Sequence, residues 1–305
     1  MSIFGGGRES VFRSWREKRE ERAKAQPSTS FTSSMTLRSY EYSGVQYPIS
    51  ISRPSGTDAV LPVLFDIHGG GFTKGVIQAD WDLDLYLAQQ GICVVAIEYP
   101  AADQGDYAGM IEAVAEGIRS VLKDAETLRI DPDRAFILGC SAGASIALAL
   151  SCLSLNQDLA YRLLQKSFSD LRFRGIVLNH PVVFLKDFLR LPTRKNRILR
   201  KCLRGDSKSE RAFETFSDPS KILLSEKDKL PWIRLIISQA DQKYFSSGQE
   251  LLNFLNNSGF KVESEVVFDP GLGHLFNVKD VNSLKSCLVN NATASFVSIR
   301  SSKEG

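Results

Sequence analysis

The sequence predicts an α/β protein with a mostly parallel central sheet, helices on both faces and a helical cap. Three observations carry this. Nearly continuous apolar runs, short enough for buried strands, recur along the chain. Helix-length segments separate most of them, the pattern of a parallel sheet covered on both sides. One interval, residues 182–230, is too long for a simple connection between two strands.

Residues 1–35 read as an N-terminal arm that could belong to the cap. Residues 8–24 can form a helix, with an apolar stripe limited to Val11, Phe12 and Trp15. Residues 27–34 (P-S-T-S-F-T-S-S) read as a flexible linker. A solvated tail and an arm docked through Phe12 and Trp15 are both compatible with this composition. The core is assigned to residues 36–181 and 231–305. It opens with a hairpin, T-L-R-S-Y-E-Y and V-Q-Y-P-I-S-I-S around Ser43-Gly44. Buried-type strands follow at 62–67, 93–97, 135–139, 175–178 and 233–238, and a last strand at 262–268. Helices are expected over 80–90, 107–128, 142–153, 246–258 and 278–290. Residues 182–230 form the cap insertion. Phe184, Leu185, Phe188 and Leu189 recur there at helical spacing, as do Ile198, Leu199, Cys202 and Leu203, with Pro192 between the sets.

Composition narrows the function. The 305 residues are 43% hydrophobic and 24% charged, enough apolar surface to outweigh the entropy of folding. No apolar run approaches the ~20 residues of a membrane-spanning helix, so no stable membrane insertion is expected. Lys and Arg number 38 against 35 Asp and Glu; residues 1–26 hold seven basic and four acidic side chains, which leaves the rest balanced at 31 against 31. A nucleic-acid-binding body would carry a basic surplus on its folded part, so no nucleic-acid partner is expected. Residues 186–204 hold eight Lys or Arg against Asp187, and read as a solvated helix face. The first 26 residues are charged where a secretory leader would be apolar, and the five cysteines include no C-x-x-C pair. A cytoplasmic location with reduced thiols is the expectation. A homodimer is compatible with the sequence.

The chemistry concentrates in four places. In R-A-F-I-L-G-C-S-A-G-A, a buried-type strand runs into Gly139-Cys140-Ser141-Ala142-Gly143 and then a helix. Such a turn needs residues without bulk beside the serine, and exposes its hydroxyl near a helix N-terminus. His68-Gly69-Gly70-Gly71-Phe72 directly follows the 62–67 strand, where glycines let backbone N–H groups approach a substrate closely. Gly70, Gly71 and Ala142 are the candidate oxyanion donors. Of three histidines, His68 belongs to the glycine loop and His180 closes a strand. His274, in G-L-G-H-L-F after the last strand, is left as the general base. Asp241, just beyond the 233–238 strand, is the carboxylate that would orient it. Asp66 and Glu98 are read as braces of the glycine loop. Phe72, His180 and Leu275 are candidate substrate-binding residues. No metal is expected, because nothing has ligand spacing, and no cofactor, because no phosphate or dinucleotide loop is present.

These pieces together resemble an α/β-hydrolase of the hormone-sensitive-lipase-like esterase family: H-G-G-G-F, D-P-D-R at 131–134, G-C-S-A-G, Asp241 and G-L-G-H-L-F. The resemblance spans residues 62–276 and implies an α/β-hydrolase fold. It also implies a catalytic triad at Ser141, Asp241 and His274, an oxyanion hole at Gly70, Gly71 and Ala142, and a cap built from the arm and the insertion. Two departures stand out. Family members commonly have Asp where Cys140 stands, and Tyr99-Pro100-Ala101-Ala102-Asp103 replaces the usual Y-R-L-A-P-E. The implied activity is hydrolysis of a small or medium-sized carboxylic ester through an acyl-enzyme. An arylformamidase, a lactonase or an acyl-releasing enzyme of a biosynthetic pathway would use the same triad. A non-hydrolytic ligand receptor or pathway enzyme on this scaffold would usually lack a triad residue.

Overall fold

The structure, a computed structural model, describes residues 5–28 and 30–301. Its strands are β1 (Ser33–Tyr42), β2 (Val45–Pro54), β3 (Leu61–Ile67), β4 (Cys93–Ile97), β5 (Ile130–Cys140), β6 (Gly175–Asn179), β7 (Trp232–Ser238) and β8 (Val262–Val267). They form one sheet in the order β1-β2-β4-β3-β5-β6-β7-β8. β1 pairs antiparallel with β2, and β2 antiparallel with β4; every later pairing is parallel. Ser43 (φ 51°) and Gly44 (φ 76°) both take the positive φ of a two-residue hairpin turn, which sets Tyr42 opposite Val45.

Strand alternation sorts the core into two layers. Val63, Phe65, Ile67, Ile137 and Leu178 point to one face; Leu64, Val94, Phe136, Leu138 and Val177 point to the other. The first layer is covered by α3 (Tyr107–Lys123), α4 (Ala142–Leu155) and α10 (Phe245–Asn257). The second is covered by α2 (Trp81–Ala88) and α12 (Leu284–Ser301), with α11 (Phe276–Lys279) beside them. α5 (Gln157–Leu164), absent from the sequence expectation, starts where the Asn156 side chain accepts the Leu159 N–H.

The last helix corrects the expectation of 278–290. Two helices share this stretch, and α12 runs to Ser301. Its inner face buries Ser286, Asn290 and Thr293 alongside Val289, Phe296 and Val297, so its apolar stripe is interrupted in sequence. Those polar groups have partners: Asn277 Nδ2 donates to Asn290 Oδ1 (3.0 Å), and Arg234 Nε to Thr293 Oγ1 (3.1 Å).

Residues 182–230 hold α6 (Leu185–Phe188), α7 (Arg194–Arg204), α8 (Ser207–Phe216) and α9 (Ser220–Glu226). Thr193 and Asp206 cap α7 and α8 by accepting the Asn196 and Ser209 N–H groups. The arm is docked. α1 (Gly5–Arg22) buries Trp15 to 2% exposure, with Val11 and Phe12 against the same core. The linker is docked too: the Ser28 N–H donates to Asp82, and the Ser33 hydroxyl to the Leu85 carbonyl of α2. Among the described residues, no helix is long and apolar enough to cross a membrane.

Candidate active site

β5 delivers Ser141 to the carboxyl edge of the sheet. Ser141 has φ 53° and ψ −112°, a strained conformation for a residue with a Cβ. The turn is held from both sides, by the Ser141 N–H to the Asn179 carbonyl and the Val182 N–H to the Ser141 carbonyl, each at 2.9 Å. β7 ends at Ser238, three residues before Asp241, and His274 hangs in the loop between β8 and α11. The three side chains meet: His274 Nε2 lies 2.9 Å from Ser141 Oγ, and its Nδ1 lies 2.5 Å from Asp241 Oδ2. Ser141 and Asp241 are each 5% exposed, whereas a quarter of the His274 side chain is open.

The glycine loop lies against this turn. A Cβ on Gly69 would sit 3.0 Å from the Cys140 carbonyl oxygen and 3.2 Å from the Ser141 Cβ. Gly70 has φ +108°, which excludes ordinary side chains, and the Thr73 and Lys74 N–H groups fold back onto its carbonyl. Gly70, Gly71, Ser141, His274 and Leu275 line one cavity of ≈ 450 Å3. Ala142 opens α4, so its N–H has no partner inside the helix.

Glu98 braces the loop, as expected. It meets His68 Nε2 at 2.9 Å and accepts the Ile77 N–H at 3.0 Å. His68 also stacks on Tyr99 with 4.3 Å between ring centroids. Burial works against charge on His68, but Glu98, with the Gly69 carbonyl and Asp80, raises its pKa above the ordinary histidine value. Asp66 does not brace the loop. As a strand residue on the Leu64 side of β3, it points away toward α2, and its carboxyl is buried beside Asp80 and Asp84. Burial and mutual repulsion push Asp66 and Asp84 well above the ordinary carboxylate range; burial pushes Asp80 up to about 6. Cys140 completes the group, its donor atom within 4.8 Å of Asp66 and Asp80. Burial raises the Cys140 thiol well above its ordinary pKa as well, so the four groups behind the turn all lean toward their neutral forms.

Two of the expected pocket residues are corrected. Phe72, 1% exposed, does not line the cavity; it packs edge-on against Tyr107 and Phe188, and so supports a lining residue from behind. His180, 2% exposed, lies behind His274 with 5.6 Å between ring centroids. Burial and the neighbouring His274 push its pKa down to about 3, so the ring is neutral; its Nδ1–H donates to Asn179 Oδ1 (2.9 Å). Both have left-handed backbone angles (φ 63° and 49°), and other side chains pack over them: Phe188 over Phe72, His274 and Phe276 around His180.

Sequence reasoning missed the residues that fill in the walls. Tyr244 packs against His274 with centroids 4.7 Å apart and lines the cavity with Phe188. Arg22, Lys74, Lys195, Lys243 and Lys279 line it as well. The readable signal was position: Lys243 and Tyr244 leave the same strand end as Asp241, and such loops surround the site in open α/β sheets.

Residues 49–230 match the family model BD-FAE. The chain is similar to the probable isoprenylcysteine alpha-carbonyl methylesterase ICMEL2 of Arabidopsis thaliana, 31% identical over 130 residues, covering 42% of this chain and 30% of that protein. It is similar to the ethyl acetate hydrolase of Pseudomonas putida, 32% identical over 126 residues, covering 40% of each. The matches thus span well under two thirds of these curated relatives. A crystal structure of esterase B from Lactobacillus rhamnosis, inhibited by a C4-C4 tributyrin phosphonate, superposes with a TM-score of 0.82 at 22% identity, over 98% of this chain and 97% of that one. At that identity the likeness establishes the shared α/β-hydrolase fold.

Proposed function

We propose that this chain, which belongs to the BD-FAE family, is a serine esterase cleaving a carboxylic ester of a small or medium-sized substrate. The observation that carries this is the continuous hydrogen-bonded line from Ser141 Oγ through His274 to Asp241 at the carboxyl edge of a parallel sheet. Its named relatives, a methylesterase and an ethyl acetate hydrolase, act on the same bond type.

In this reading His274 Nε2 takes the Ser141 proton as Oγ attacks the ester carbonyl. The Asp241 carboxylate holds the Nδ1–H tautomer and stabilises the imidazolium that forms. The Gly70, Gly71 and Ala142 N–H groups receive the carbonyl oxygen as it gains charge; each such donor contributes about 3 kcal/mol to the transition state. Collapse expels the alcohol, protonated by His274, and leaves an acyl-Ser141. Water, deprotonated by His274, then releases the acid. The arm and the 182–230 insertion act together as the cap. Arg22 of α1 and Leu191, Lys195 and Leu199 of the insertion, which all line the cavity, support that assignment.

A fluorophosphonate probe followed by peptide mass spectrometry tests the reading, together with turnover of 4-nitrophenyl esters of increasing chain length. Stoichiometric labelling at Ser141 with measurable turnover is the expected result. An inert Ser141 in folded protein overturns it and favours a binding role for the scaffold.

A further inference from the structure

The cavity that holds Ser141 and His274 is lined by five cationic side chains and no acidic one. Arg22 comes from the arm, Lys74 from the end of the glycine loop, Lys195 from α7, Lys243 from the loop after β7, and Lys279 from the end of α11. Five separate stretches of chain therefore bring positive charge to one concavity. This sets the site apart from the body beyond residue 26, where basic and acidic residues balance.

The neighbouring basic run is partly neutralised by pairing. Of the basic run at 186–204, Lys186 pairs with Asp218, Arg204 with Glu214, and Arg200 donates to the Leu189 carbonyl. The cavity cations converge on one concavity without a counter-charge. None of Arg22, Lys74, Lys195, Lys243 and Lys279 forms an ion pair among the described residues. Arg22 donates to the Lys74 carbonyl (3.0 Å), and Lys243 lies over the Tyr244 and Phe188 rings, 4.8 and 5.6 Å from their centroids. Partial burial and then mutual repulsion, chiefly with Arg22, Lys195, Lys18 and Lys243, lower the Lys74 pKa; Lys195 is lowered by burial and by Lys18 and Lys243. Holding like charges together around a low-dielectric cleft costs free energy in the empty protein and focuses a positive field into it. An ester without charge relieves none of that repulsion, whereas an anionic group seated among these side chains does.

We infer that the substrate is an anionic ester, one whose acyl or alcohol part carries a carboxylate or comparable anionic group that seats among Arg22, Lys74, Lys195, Lys243 and Lys279 while its ester carbonyl faces Ser141. This rests on the esterase reading above and specifies its substrate class. The lysines take no part in bond breaking; they determine specificity through binding and encounter.

The test uses the full chain and two matched ester pairs. On the acyl side these are mono-4-nitrophenyl glutarate and its methyl-capped diester; on the alcohol side, 4-acetoxybenzoate and its methyl ester. The anionic member of at least one pair is expected to show kcat/KM about tenfold above its neutral mate at low ionic strength. That ratio should collapse toward one in the Lys195→Gln/Lys243→Gln variant and on adding salt, which shortens the screening length. Equal kcat/KM within both pairs, or a preference untouched by both the double variant and salt, overturns the inference. Dissociation constants of the four esters on Ser141→Ala protein separate the two failures. Anion-selective binding without turnover in the wild type sinks the esterase reading alone, and turnover without selectivity sinks only the substrate class.

Discussion

Arg19 of the arm grips Asp103 with two hydrogen bonds, 2.7 and 2.9 Å long, and donates from the same guanidinium to the Thr73 carbonyl at 2.6 Å. Asp103 belongs to the Tyr99–Asp103 stretch that departs from the related family's usual pattern, and Thr73 follows the glycine loop. One side chain thus ties the arm to the loop expected to supply the oxyanion donors. The Asp103 side chain is almost fully buried, with Arg16 standing off at 3.8 Å.

Arg19→Ala should therefore loosen the arm, at a cost on the order of 2–3 kcal/mol, since a buried carboxylate loses its bidentate partner. Removing residues 1–26 should act in the same direction while leaving β1 intact, as that strand starts at Ser33. Both changes are expected to raise KM for longer esters much more than for 4-nitrophenyl acetate. Steady-state kinetics across an ester series checks this, and unchanged selectivity would make the arm a structural clasp only.

Ser141→Ala and His274→Ala should each lower kcat by roughly 10^4–10^6, because the hydrogen-bonded residues act as a unit. Asp241→Asn should cost about 10^4, through the wrong histidine tautomer. Circular dichroism should report an unchanged fold in all three. A His274→Ala enzyme with near-normal turnover would assign the base elsewhere.

Cys140→Ala should keep substantial esterase activity. The thiol is fully buried, accepts a long hydrogen bond from Asn179 Nδ2 (3.6 Å), and is kept protonated by burial. The cost should be confined to stability, about 1–2 kcal/mol for a small void. Native protein should also resist alkylation at Cys140, read by mass spectrometry. Loss of Ser141 acylation in a folded Cys140→Ala protein would contradict this.

The carboxyl group behind the turn predicts a pH-dependent stability of definite sign. Asp80 titrates near 6 in the folded protein against an ordinary 3.8, so between those values the folded state binds more protons than the unfolded one. Stability from this group is full below about 4 and falls as pH rises to about 6, by on the order of 3 kcal/mol. Asp66 and Asp84, raised in the same direction, extend the decline upward. Denaturant unfolding from pH 4 to 8 should show the fall, and Asp80→Asn should flatten its lower part. A stability that rises steadily through that window would contradict the raised carboxyl pKa values.

What the sequence by itself determined was whatever is written locally. Five buried runs in the core became β3 to β7, because a strand covered on both faces must be apolar at nearly every position. The turn around Ser141 was legible because only small residues fit a strand that reverses directly into a helix. The order Ser141, Asp241, His274 followed from placing each polar residue just beyond a strand end. Tertiary structure alone decided the remainder. Asp66 lay in a readable strand, but its neighbours Asp80 and Asp84 come from α2 and its approach, and only sheet packing sets them against it. Phe72 and His180 lie in the expected loops but are buried, because the side chains that cover them, Phe188 over Phe72 and His274 and Phe276 around His180, come from distant parts of the chain. The bounds of α12 escape the pattern because buried Asn290 and Thr293 take their hydrogen bonds from Asn277 and Arg234, which a pattern of apolar residues cannot register. The gathering of Arg22, Lys74, Lys195, Lys243 and Lys279 was invisible for the same reason at larger scale. Local sequence reports whether a residue can be buried, while convergence depends on strand order and on the path each loop takes over the sheet's edge.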